Sequence, residues 1–156
     1  MKKHQYETAL EWTGNKGKGT VSYRSYNRNH SIHIKGKTHP IMGSSDPSFL
    51  GDPSRYNPEE LFLSSIASCH MLWYLHLCAV NQITVTEYLD KATGVMSENE
   101  NGSGSFIAVT LHPQVKVKDT TMITKATELH EEANKMCFIA NSCNFKIGHA
   151  PKTTVH

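Results

Sequence analysis

The sequence predicts an α+β domain, and two kinds of observation predict it. Two segments, 57–79 and 119–137, carry helical spacing and helix-start chemistry, while the rest of the chain alternates strand-like runs with clusters of Gly, Asn, Ser and Pro. The 156 residues suit one domain, 1–156, with 150–156 expected as a loose C-terminal tail.

The first fifty residues are expected to form antiparallel sheet. Gln5–Trp12 and Gly19–Tyr26, rich in Thr, Tyr, Val and Trp and separated by Gly14, Gly17 and Gly19, predict a strand, a turn and a second strand. His30–Lys35 alternates polar and apolar residues and predicts a third. The Gly-, Ser-, Asp- and Pro-rich stretch between Pro40 and Pro58 predicts a long loop. Asn57, Pro58, Glu59 and Glu60 then supply a cap, a proline at the first helical position and first-turn acids. The helix they start is apolar nearly all round beyond Ile66, which marks a helix surrounded by protein. Ile83–Met96 and Ser105–Val117, separated by the turn-forming 99–104, predict a hairpin. Asp119 caps a second helix in which Met122, Ile123, Ala126, Leu129, Ala133 and Met136 recur at three- and four-residue steps, ending at Cys137. A short helical turn through Asn141 and a strand near Asn144–Ile147 are expected to close the domain.

Composition excludes several classes. At 38% hydrophobic and 19% charged residues the chain lies outside the regime of intrinsic disorder. Sixteen basic against fourteen acidic residues are scattered, so nucleic acid is not expected as a partner. MKKHQYETALEWTGN has no apolar core of a signal peptide. The longest apolar stretch, Leu61–Val80, contains Ser64, Ser65, Ser68, His70 and His76, which predicts a buried helix and no membrane span. A cytoplasmic location follows as the expectation, and there cysteines are free, catalytic or metal-bound.

Four cysteines therefore need a chemical account. Cys69 and Cys78 lie nine residues apart on one helix, roughly 13 Å at the helical rise, too far for a disulfide. Cys69 and Cys137 sit on different helices that can bring them together as a redox pair, and Cys143 is a reserve partner. Any of the four could equally pack as a small apolar side chain, and Cys78, within Leu77–Val80, suits that role. Cys69 differs because Ser64, Ser65 and Ser68 leave space and hydrogen-bond donors beside it.

Asn57-Pro58-Glu59-Glu60-Leu61-Phe62, followed by small residues up to Cys69, resembles the signature of the osmotically inducible protein C and organic hydroperoxide resistance (OsmC/Ohr) family. His130-Glu131 and the helix leading into Cys137 resemble the surroundings of that family's second cysteine, and Trp12–Ser22 is similar to its opening strand. The resemblance implies two long helices packed with antiparallel sheets in an intertwined homodimer, with sites at the interface. It implies a thiol peroxidase that reduces organic hydroperoxides through a Cys69 sulfenic acid and a Cys69–Cys137 disulfide, renewed by a dithiol reductant of the lipoyl or thioredoxin type, without a cofactor. Glu59 matches the family's functional glutamate; its alternative role is to complement the helix dipole. An arginine is implied beside the reactive cysteine, with Arg24 favoured over Lys16 and Arg55.

Three rivals accompany this reading. An OsmC-like ligand-binding or redox-sensing protein with little turnover would keep the same cysteines. A metal site would use His70 and His130, but no CxxC or HExxH is present, and His70 points about 100° away from Cys69 around the helix. A cysteine hydrolase lacks an identifiable third orienting group.

Overall fold

The computed structural model describes residues 2–155. The chain divides into two compact units, one ending at Phe62 and the other starting at Leu63.

The first unit is built on an antiparallel sheet of β1 (Ala9–Trp12), β2 (His30–His33) and β3 (Ile41–Gly43) in that order. Leu10 pairs with Ile32, which pairs with Ile41. The strand expected over Gly19–Tyr26 does not form; turns and bends occupy it. Local polar chemistry explains this. The Asn15 Oδ1 accepts hydrogen bonds from the N–H groups of Gly17 and Gly19 at 2.9 and 3.0 Å, and both glycines take positive φ. The Arg28 guanidinium then lies 4.2 and 4.4 Å from the ring centres of Tyr23 and Tyr26 and donates to their carbonyls. Aromatics that score as strand residues serve here as an arginine clamp. The expected loop 40–58 holds β3 and a 3-10 turn at Pro47–Phe49, capped by Asp46.

Helix α1 (Pro58–Val80) starts where the sequence places it. Asn57 Oδ1 accepts from the Glu60 N–H at 2.8 Å, and Glu60 Oε2 accepts from the Asn57 N–H at 3.0 Å, a reciprocal capping box. It ends with Gln82 at φ 60° while the Ile83 N–H reaches back to the Cys78 carbonyl at 2.9 Å, a Schellman closure.

In the second unit the expected hairpin is present, but each arm is broken. β4 (Val85–Asp90) pairs antiparallel with β7 (Pro113–Val117), and β5 (Thr93–Glu98) pairs antiparallel with β6 (Gly104–Leu111). The break sits at Pro113, which has no N–H for the ladder, and at His112, whose N–H is donated to Asp90 Oδ1 at 2.7 Å. The two halves thus enter separate three-stranded sheets. α2 (Ile123–Met136) begins one 3-10 turn after its expected cap Asp119, and a further 3-10 turn covers Ala140–Ser142.

Two expectations need correction at the C-terminus. The last strand expected at 144–147 is β8 (Ile147–His149), and the expected loose tail is, over its described residues, a linker and β9 (Lys152–Val155); His156 lies outside the described residues. Both strands pair in parallel, β8 with β6 and β9 with β7, so the sheets of this unit are mixed rather than antiparallel. Thr153, Thr154 and Val155 are good strand formers, and the open edge of β7 satisfies their backbone groups. Tyr74 and Cys78 of α1, Val115 and Val117 of β7, and Ala126, Leu129 and Ala133 of α2 form the buried core of the unit.

Candidate active site

The fully buried residues of α1 are Ile66, His70, Tyr74 and Cys78, one residue in four along a single stripe. Cys69 falls just off that stripe and is partly exposed. It lies in an apolar cleft of about 370 Å³, lined by Ser65, Ser68, Leu72 and Trp73 of α1 and by Phe138 and Ile139 past the end of α2. Trp73 meets Phe138 edge-on, with ring centres 5.7 Å apart. The surface of the cleft is almost wholly apolar despite its two serines, which suits an apolar group.

Cys137 is buried where α2 ends and the backbone turns extended, close enough to Cys69 for the two thiols to influence each other. The two cysteines that the sequence offered as a redox pair are therefore neighbours, both as free thiols. Burial pushes the Cys137 thiol up to about 11, and the neighbouring Cys69 adds to the rise. The Ala140 N–H, donated to Cys137 Sγ at 3.4 Å, pulls the other way but loses to burial. Cys78 is buried in the core, and burial raises its thiol too, as suits an inert packing residue. Cys143 is partly buried and donates to the Ile139 carbonyl at 3.3 Å.

The other expected site residues lie in the first unit. Glu59 sits ten residues before Cys69 on α1, roughly 15 Å away along the axis. Its Oε2 is buried and has no hydrogen-bond partner among the described residues. Arg24 and Lys16 are exposed. Arg55 is partly buried, with its Nε 3.6 Å from Asp52 Oδ2 and its Nη1 buried without a hydrogen-bond partner among the described residues. Sequence reasoning ranked Arg55 behind Arg24, because burial of a guanidinium nitrogen leaves no mark in sequence. His70 and His130, weighed as metal ligands, instead hydrogen-bond to each other at 3.0 Å.

A half-exposed cysteine midway along α1 and a buried cysteine at the end of α2 thus lie side by side in a mixed α+β unit. The chain belongs to the OsmC-like protein family, whose model matches residues 51–149. It is similar over 96% of its length to the whole of an OsmC-like protein of unknown function from Vibrio cholerae, at 27% identity and a TM-score of 0.85. An organic hydroperoxide resistance protein from Elizabethkingia anophelis shares the fold at 19% identity and a TM-score of 0.71, covering 98% of this chain and 100% of that one. The organic hydroperoxide resistance protein OhrB of Bacillus subtilis does so at 17% identity and a TM-score of 0.67, covering 96% and 98%. A search among curated proteins found no match.

Proposed function

We propose that the protein is a cysteine-based peroxidase of the cytoplasm that reduces organic hydroperoxides to alcohols. The observation that carries the reading is the proximity of Cys69, partly exposed in an apolar cleft, to the buried Cys137. The Cys69 thiolate attacks the distal peroxide oxygen, the O–O bond breaks, and the alkoxide takes up a proton and leaves as alcohol. Cys69 becomes a sulfenic acid, oxidised by two electrons. The Cys137 sulfur then displaces hydroxide, released as water, and forms the disulfide. A dithiol of the lipoyl or thioredoxin type restores both thiols and becomes a disulfide itself. The cleft wall of Leu72, Trp73 and Phe138 favours hydroperoxides with apolar tails.

A homodimer accompanies this function. α1 is long enough and apolar enough to cross a membrane, at mean hydropathy 1.3, yet only one stripe of it is buried in this chain, and Leu72 and Val80 remain 63% and 61% exposed. With Phe138 at 66% they form apolar surface suited to a second copy, since serine and histidine on the same helix disfavour lipid. Glu59 and an arginine, Arg24 as the resemblance favours or Arg55 as burial favours, would support the Cys69 thiolate. Because Glu59 is about three helical turns away along its own α1, its action on Cys69 belongs to the second copy.

Redox sensing with little turnover is favoured by one observation, the high Cys137 thiol. Burial disfavours the Cys137 thiolate at neutral pH, which slows resolution. One equivalent of tert-butyl hydroperoxide followed by peptide mass mapping separates the outcomes. A Cys69–Cys137 disulfide together with steady turnover on a dithiol supports the peroxidase, and the disulfide without turnover supports the sensor. Any other pairing, or full activity in Cys69→Ser, overturns both.

A further inference from the structure

The two cysteine-bearing helices are joined by a bond that the chemistry above does not use. His70 follows Cys69 on α1, and His130 precedes Cys137 by seven residues on α2. Both imidazoles are fully buried. Nε2 of His70 meets Nδ1 of His130 at 3.0 Å, and the rings lie 5° from parallel with centres 5.3 Å apart. That separation is the N···N distance plus a ring radius at each end. The rings are therefore close to coplanar, and the bond runs in line between them. One ring supplies its N–H and the other its lone pair, so the bond needs at least one bare nitrogen.

No carboxylate among the described residues acts on the pair. The Tyr74 ring of α1 stacks on His130 at 3.8 Å, and behind it stands Tyr88 of β4, 5.8 Å from Tyr74. His149 of β8, the other ionisable group bearing on the pair, lies 6.0 Å from His70 and adds only repulsion when charged. Asp90, the carboxylate on this side, acts on Tyr88. The outer nitrogens, Nδ1 of His70 and Nε2 of His130, are buried without a partner among the described residues. Burial, reinforced by His149, lowers His70 to about 4; burial, reinforced by His70 and His149, lowers His130 to about 3.

We propose that His70 and His130 are positioning residues: their hydrogen bond holds α1 against α2 so that Cys69 meets Cys137, and acid releases it. The proposal rests on reading Cys69 and Cys137 as the redox pair. A disulfide tolerates little error, because its two α-carbons must come within about 4.4–6.8 Å. The histidine bond lies beside one cysteine and about two helical turns from the other. A second proton on the pair would set N–H against N–H in an apolar core and drive the helices apart. The disulfide would then form readily only while at least one of the two imidazoles is neutral.

Equilibrium with glutathione tests this without any peroxide. Oxidised glutathione takes two electrons and two protons from Cys69 and Cys137 and becomes two reduced glutathiones. Two thiols are consumed and two are formed, so the exchange takes up and releases no net proton. The protein is equilibrated from both directions, quenched by acid and alkylation, and mapped by mass. The effective concentration of the pair is expected to fall at least tenfold from pH 7 to pH 4.5 in the native protein. His130→Leu is expected to show the low value already at pH 7. His130→Asn, which keeps a neutral hydrogen-bonding group near the Nδ1 position, is expected to restore most of it and to lose the pH dependence. A native value that stays flat with pH overturns the proposal whether or not the leucine variant folds. A native protein that is folded by circular dichroism yet forms no 69–137 disulfide at pH 7 overturns the two-cysteine reading as well.

Discussion

Lowering the pH from 7 to 5 should remove about 4 kcal/mol of folding stability through His70 and His130 alone. In the unfolded chain each titrates near its ordinary 6.5, while the folded protein holds them at about 4 and about 3. Folded pKa values that are depressed mean that the unfolded chain binds protons the folded one refuses. The stability is therefore fully present above pH 6.5 and is lost as pH falls toward the folded values. One pKa unit is worth about 1.36 kcal/mol, so between pH 6.5 and 5 each histidine costs about 2 kcal/mol. A domain's total stability is commonly about 5–15 kcal/mol, so the loss is large. Carboxylates held below their usual range by hydrogen bonds, Asp46, Asp52 and Asp119, act at lower pH and do not obscure this window. Burial raises Asp90, which has the opposite sign and offsets part of the loss. Urea denaturation followed by circular dichroism at fixed protein concentration measures the slope, and His70→Gln with His130→Asn should flatten it. Native stability at pH 5 within about 0.5 kcal/mol of its value at pH 7 would refute the reasoning.

Other perturbations have distinct signatures. Leu129→Ala, at a side chain 3% exposed in the core, should cost about 2–5 kcal/mol in denaturant unfolding. Phe138→Ala, at a side chain 66% exposed beside the cleft, should leave stability within about 0.5 kcal/mol. The same change should raise KM for a long-chain hydroperoxide more than for tert-butyl hydroperoxide, measured by steady-state assay. Ending the chain at Ala150 removes β9 and uncovers the edge of β7, so soluble yield should fall and light scattering on heating should rise. Sedimentation should show a dimer, and Leu72→Glu on the exposed face of α1 should shift it toward monomer.

α1 and α2 were legible in the sequence because helix signals are local. Asn57, Pro58, Glu60 and Asp119 act within four residues, and the apolar stripe of α2 repeats within one turn. The hairpin over 83–117 was legible for the same reason, through its turn. What misled were residues whose local preference was overruled from outside their own segment. Tyr23 and Tyr26 have strand propensity but wrap Arg28. Lys152–Val155 lies at the chain end and gains a strand only because β7 offers an edge 39 residues earlier.

The sequence by itself determined the family, the helix that carries Cys69, the misfit of Cys78 as its partner and the candidacy of Cys137, because motif order and helical rise are properties of the linear chain. Tertiary packing alone set Cys137 beside Cys69, buried a polar atom of Arg55 and of Glu59 without a hydrogen-bond partner among the described residues, and joined two histidines in line across α1 and α2. Each of these is a meeting of side chains or a degree of burial, set by how helices and sheets pack. Residues sixty positions apart leave no spacing in the sequence to read.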